Sequence, residues 1–317
     1  MGKYILKRIL LLIPAVLLVC VIVFALMRLI PGSAVDAIVY KYSSAGIAKD
    51  ADEVRASLGL DKPAIVQFFV WMKDVVRGNL GDSLFQNESV NSIIARELPV
   101  TLELGILTLL IGVVISIPLG LLCAARQDGV IDIVLRVIAV LFLSIPVFWI
   151  ATMVLIYPAI WWGYAPPANY VSLLKAPLQN LQMFIIPAFL GALSQVGMQM
   201  RLVRTMTLEV MRQDYVRTAW SKGLKEKVVL FKHAFRNSLI PVITMIGGSV
   251  SGLVGGSVIM ENLFNIPGIG QQVVLALNNR DYPVVQGCVI IFAVYVMVVN
   301  LVVDIAYKWV DPRINLE

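Results

Sequence analysis

The chain has 317 residues, 59% of them hydrophobic and only 15% charged, with a formal net charge of +6. A soluble domain usually carries about 25% charge, so the composition points to a membrane protein. The basic surplus is the kind that flanks membrane spans, not the footprint of a nucleic-acid binder.

A spanning helix needs about 20 mostly apolar residues, and six windows qualify. The first, 9–30, contains Pro14 and ends near Arg28. Its apolar core is too long for a signal peptide and no A-x-A site follows, so a retained anchor is expected. The second and third, 104–125 and 137–162, carry no charge; the fourth, 181–200, is the most polar, with Gln182, Ser194, Gln195 and Gln199. The fifth, 238–260, is rich in glycine, and the sixth is 284–303.

Between the first two windows, 31–101 shows structure of its own. Helical spacing appears over 52–58 and 64–76, with Val66, Phe69, Val70 and Lys73 on one face, and "GLDKP" and "RGNLGDS" are turn clusters. Coarsely, the chain reads as an anchor helix, an outer helical segment and a five-helix bundle. Cys20, Cys123 and Cys288 lie in separate apolar runs with no CxxC pair. Neither a disulfide framework nor a zinc site is expected, and the three read as small buried hydrophobes.

Orientation follows from the basic residues of the short loops. With the N-terminus inside, segments 1–8, 126–136, 201–237 and the tail from 304 hold three, two, nine and two Lys/Arg residues. The outer loops 163–180 and 261–283 hold one each, Lys175 and Arg280. Both termini are therefore expected in the cytoplasm. The seven basic residues of 31–101 do not count against this, because loops longer than about 60 residues translocate largely regardless of charge.

The chemistry that would let this chain work alone is missing. No GxxxxGK followed by Ser or Thr is present to cradle a phosphate; "GLVGGS" (252–257) has the glycines without the lysine. HExxH is impossible with one histidine, and His233 lies in a charged loop, not at the depth a membrane-embedded Ser/His pair would need. Ion or proton relays need ionisable groups buried in a bundle. Arg28, Glu103, Glu261 and Asp304 sit instead at window ends, where side chains can snorkel to the interface. No catalytic residue, cofactor or metal is expected, and transport would need an external drive.

In the fifth window Gly248, Gly252 and Gly256 repeat at four-residue spacing. Such a stripe lets two helix backbones approach closely in lipid. It either packs inside the bundle or meets a pathway or a second subunit. Just before it, 217–241 holds six basic residues, one acid and the single histidine. Residues 214–222 read as a short helix stopped by Gly223, and 225–236 as a second helix with Val228, Val229, Phe231 and Phe235 on its apolar side. A helix–Gly–helix unit between two spans can dock into another protein, or it can be a solvated loop obeying the positive-inside rule.

"RTAWSKG" resembles the EAA loop of ATP-binding cassette importer permeases, with Arg217, Thr218, Ala219 and Gly223 in the places of E-A-A and its glycine. The first two depart from that core, and the spacing to "LIP" is longer than in the general pattern. Both features resemble the branch importing dipeptides, oligopeptides and nickel, where "DYVRTAxxKG…HxxRNxLIPVIT" is usual; here "DYVRTAWSKGLKEKVVLFKHAFRNSLIPVIT" stands. "ENLFNIPGIGQQVVLALNNRDYPVVQG", "NLVVDIAYKWVDPRI" and "LGLDKP…GNLGDSLF" resemble further parts of that branch, although Asn79 stands where Asp is commoner.

The resemblance implies an all-α polytopic membrane protein with six transmembrane helices and the type I importer permease fold. Its parts would be an anchor (1–30), an extracytoplasmic helical segment (31–96), the transmembrane domain (97–307, with a cytoplasmic coupling loop at 206–237) and a tail (308–317). It implies residence in the inner membrane of a bacterium or archaeon. The partners implied are a second permease, two ATP-binding cassette subunits, an outer substrate-binding protein and the lipid bilayer, with no nucleic acid. Asp214, Tyr215, Arg217, Thr218, Ala219, Ser221, Lys222 and Gly223 are then the expected ATPase-coupling residues, and Gly248, Gly252 and Gly256 the helix-packing or pathway residues. Ser144, Asn262 and Gln195 are expected to be structural. The competing readings are a self-sufficient channel or secondary carrier, which would need intramembrane polar sites, and an intramembrane enzyme, which would need a nucleophile and base at one depth.

Overall fold

A computed structural model of the chain describes residues 2–29, 32–44, 46–47, 49–167 and 169–310, without the side chains of 2–7, 9, 239–240, 254 and 306–310. The described residues are helical almost throughout and form no strand beyond one isolated bridge, Asp82 to Ser89. The outer end of the first window, Ile30, and the tail after residue 310 lie outside them.

In chain order the helices are α1 (Gly2–Leu29), α2 (Ala34–Ser44), α3 (Ala51–Ser57), α4 (Ala64–Val76), α5 (Val90–Ala125), α6 (Val130–Ser144), α7 (Val147–Trp162), α8 (Pro177–Met211), α9 (Asp214–Ser221) and α10 (Glu226–Val228). A π-helical turn, Val229–Phe235, leads into α11 (Arg236–Ser251), followed by α12 (Leu253–Leu263), α13 (Ile269–Asn279) and α14 (Tyr282–Val310). Four stretches are long and apolar enough to cross a bilayer: Leu10–Leu29 of α1, α5, α8 and Tyr282–Ile305 of α14. The pairs α6/α7 and α11/α12 pass jointly, which brings the number to six when each bent pair is one span. Each apolar window of the sequence falls on one of these.

Two of the apolar windows are broken. The third bends by 91° between α6 and α7. Ile145 is extended there (φ −86, ψ 125) and Pro146 opens α7. Proline pushes the residue before it out of the helical region, so the chain turns where its hydropathy is unbroken. The fifth bends by 57° between 241–251 and 255–263, around Gly252, a residue type that costs a helix about 1 kcal/mol relative to Ala.

The chain divides into two units, residues 1–101 with 267–298, and 102–266 with 299–317. In the first, Val90, Ile93 and Ile94 of α5 pack with Ile269 and Ala276 of α13 and Val284, Val285 and Cys288 of α14. Gly287 permits the close approach of Val90, whose Cγ1 would lie 2.5 Å from an added Cβ. Thr101 Oγ1 accepts from the Ile269 amide at 2.8 Å and satisfies one of the orphan donors at the start of α13. The buried Asp281 carboxylate accepts from the Ser83 hydroxyl and, at 3.2 Å, from the Leu84 amide. The "GDSLF" and "RDYP" stretches, far apart in sequence, are thus hydrogen-bonded to each other.

In α4 the expected face is not the packed one. Val66, Phe69, Val70 and Lys73 are exposed, while Phe68 and Trp71 turn inward onto Phe24 of α1, with ring centroids 5.1 and 5.7 Å apart. The two aromatic rings of this other face, Phe68 and Trp71, take the contact with Phe24.

In the second unit α8 is the central element, packing on α6, α7, α11 and α12. Gly120 and Gly197 let backbones meet closely: a Cβ at Gly120 would lie 2.8 Å from the Met200 carbonyl, and one at Gly197 2.8 Å from the Ala139 carbonyl. At one end of α6 the fully buried Asp132 receives the Arg204 guanidinium of α8 through Nε at 2.8 Å and Nη2 at 2.7 Å, and the Asp128 amide at 2.9 Å. A bidentate pair of this kind joins two helices with fixed geometry.

Candidate functional site

The segment from α9 to α11 is held firmly by its own chain. Val216 and Ala219, three residues apart on α9, are buried against Val229 and Val210. Asn237 Nδ2 donates to the Tyr215 hydroxyl at 2.8 Å, joining α9 to α11. Thr207 and Ser238 lie in buried contact, their hydroxyls 3.4 Å apart. α9 ends at Lys222, and Gly223 follows with φ +75, its amide donating to the Trp220 carbonyl at 2.9 Å. That left-handed conformation favours glycine because any Cβ would crowd the backbone.

Asp214, Tyr215, Arg217, Thr218, Ser221, Lys222 and Gly223 are exposed, and Asp214 pairs with Arg217 at 3.5 Å across open solvent. Ala219 is not among them: it is 5% exposed and packs inward. Val216 and Ala219 share the apolar face that α9 buries against its own chain. The expected helix over 225–236 is also different. Only Glu226–Val228 is α-helical, and the π-helical turn runs into α11 without an intervening loop. The wider turn rotates the buried face, so Val229, Leu230 and Ala234 are buried while Val228 and Phe231 point outward. The sequence reading passed over Trp220 and Leu224, which with Tyr215 and Phe231 leave large apolar groups 37–56% exposed on this otherwise charged segment. An aromatic in the middle of a basic stretch was the available signal.

Among the described residues, Gly248, Gly252 and Gly256 have no close neighbour on the side where a Cβ would stand. An added Cβ would meet nothing within 4 Å at Gly248 and Gly256, and only the Ser249 carbonyl, at 3.6 Å, at Gly252. Gly252 and Gly256 instead line a narrow cavity of about 40 Å³, together with Thr108, Gln195 and Ser257. Gln195 Oε1 is buried there without a hydrogen-bond partner, while Gln199 Oε1 nearby on α8 accepts from Ser116 Oγ at 2.9 Å. Ser144 and Asn262 bond back to their own helices, at the Val140 and Val258 carbonyls. Among the described residues no three His, Cys, Asp or Glu side chains gather as metal ligands would.

The arrangement offers an exposed segment fastened to a span and a polar seam beside glycine-lined helices. The family described as binding-protein-dependent transport system inner membrane component matches residues 116–316, and the corresponding N-terminal membrane component matches residues 1–105. The chain is similar to a putative peptide transport system permease protein of Brucella suis biovar 1 (strain 1330), 38% identical over 317 residues and 100% of both chains. It is also similar to a probable peptide ABC transporter permease protein of Sinorhizobium fredii, 35% identical over 315 residues, 99% of this chain and 100% of the other. A dipeptide transport system permease protein of Lactococcus lactis subsp. cremoris is 36% identical over 318 residues and 100% of both chains. This chain belongs to the family of binding-protein-dependent transport system inner membrane components.

Proposed function

We propose that this permease imports peptides as one of two transmembrane subunits, with both termini in the cytoplasm, and that separate ATPases drive it through the segment from Asp214 to Phe231. The relatives' names supply the peptide, and the basic short loops supply the orientation. The observation that carries the coupling reading is the exposure of Tyr215, Trp220, Leu224 and Phe231 on a segment otherwise fixed to its own chain. Trp and Tyr are among the residues that most often anchor the centre of a protein interface. The open faces at Gly248 and Gly256 suit the close approach of a second permease helix. A carrier working alone finds no support in family or relatives.

The test is to purify the permease pair with its ATPases and reconstitute it with the binding protein. Trp220→Asp combined with Phe231→Asp is expected to weaken ATPase attachment and abolish the stimulation of ATP hydrolysis by loaded binding protein, while the chain still elutes as a single species. Full stimulation and normal peptide uptake in that variant would refute the coupling role. Uptake of labelled peptides of graded length identifies the cargo; failure of every peptide would refute the substrate class alone.

A further inference from the structure

We propose that α4 is a membrane-surface helix, with Ile65, Phe69 and Val76 seated among the phospholipid acyl chains of the outer leaflet. These three residues are 71%, 66% and 79% exposed, the largest apolar exposures on that helix. At about 100° per residue they fall within roughly 40° of one another, so they form one face. The opposite face carries Gln67, Trp71 and Asp74, with Phe68 on one flank, and all four are half-buried. A face this apolar and this continuous is rare on a protein surface without an occupant.

The occupant follows from where α4 is fastened. Phe68 and Trp71 pack on Phe24, and the Arg28 guanidinium donates to Gln67 while lying 3.6 Å above the Phe24 ring. Phe24 and Arg28 belong to the last turns of the candidate span Leu10–Leu29. Five residues of helix separate Phe24 from the span's end, about 7 Å of rise. An interfacial helix buries its apolar face about 5–10 Å into the boundary of headgroups and acyl chains, so α4 is held at that depth. The adjoining span α1 exposes apolar groups of its own, with Leu18, Leu26 and Leu29 60%, 49% and 76% exposed. Lys62 and Arg77 are exposed just beyond the two ends of the face, and Lys73 is exposed on its flank. Their stems can cover apolar surface while their charges reach phosphates. Charge and apolarity together fit a phospholipid surface better than a protein groove. The assignment to the outer leaflet rests on the orientation proposed above.

The full-length chain in nanodiscs of phosphatidylethanolamine and phosphatidylglycerol tests this by nitroxide labelling. The native cysteines are buried, so Phe69→Cys and Val76→Cys are labelled singly. Leu18→Cys serves as the lipid reference and Asp52→Cys as the water reference. Collision with oxygen against collision with a water-soluble nickel chelate reads the depth. Both α4 positions are expected to show an oxygen-to-chelate ratio several-fold above that of position 52 and below that of position 18, which lies deeper in the span. A ratio equal to that of position 52 places the face in water and overturns the proposal. Low collision with both reagents means that protein covers the face, and overturns it equally. Labelling Asp52→Cys with an impermeant maleimide in intact cells reports orientation separately. Reaction from the cytoplasmic side alone would refute the topology and leave the lipid contact standing.

Discussion

Asp132→Ala is the most informative single change to the second unit. It removes a fully buried carboxylate that accepts two hydrogen bonds from Arg204 and one from the Asp128 amide, and that lies 3.3 Å from Arg136 Nε. Breaking one side of a buried pair costs about 3–5 kcal/mol, because the remaining charge is left without compensation. Arg204 retains 16% side-chain exposure and has Asp128 at 3.8 Å as a substitute, which points to the lower end, about 3 kcal/mol. At roughly 2–4 °C per kcal/mol for a unit of this size, the midpoint should fall by about 6–12 °C. The full-length chain, fused to a fluorescent protein and heated in detergent, can be followed by the monodisperse fraction on size exclusion. Asp132→Leu with Arg204→Leu should lose less than either single change, since an apolar pair carries no desolvation penalty. If Asp132→Ala melts like the parent chain, the ion pair does not hold α6 to α8 and the reasoning fails.

Further outcomes follow from individual contacts. Gly120→Ala and Gly197→Ala drive a Cβ into backbone carbonyls at 2.8 Å and should each destabilise the chain by about 1–3 kcal/mol in the same heating assay; Gly256→Ala, which meets open space, should not. Gly223→Val should cost about 1–2 kcal/mol through local backbone strain alone, with Gly223→Asn milder, because no other part of the structure lies within 4 Å of the added Cβ; melting of the chain measures it. Ala219→Asp should lower the stability of the isolated chain, since it buries a carboxylate beside Val216 and Val229. Trp220→Asp, at an exposed position, should leave melting unchanged and weaken only retention of the ATPases in a pull-down.

The apolar cores of the spans were legible because about 20 residues without charge leave few other readings. Their ends were not. α5 begins at Val90 and α8 runs from Pro177 to Met211, both well past the windows at 104–125 and 181–200, because a helix continues into water where hydropathy no longer marks it. Pro146 stood in plain view inside the third window, yet averaging over hydropathy hides a residue whose effect is steric. The stop at Gly223 was readable from residue type. The inward turn of Ala219 was not, since eight residues of α9 offer too few apolar positions to define a face before its neighbour Val229 is known. Asp132 and Arg204 are 72 residues apart, and nothing in a single sequence pairs them.

The π-helical turn between α10 and α11 has a mechanical meaning. A flexible linker would let a cytoplasmic segment shift while the span above it stayed still, the displacement being absorbed in free torsions. Here the backbone is hydrogen-bonded from Glu226 through Ser251, and Tyr215 is tied across to Asn237. On the proposed coupling role the joint acts as a crank: sideways motion at α9 is not lost in slack and emerges as tilt or rotation of α11. The next place where it can be spent is the bend at Gly252, some 15 residues above Asn237 and about 22 Å along the helix at 1.5 Å per residue.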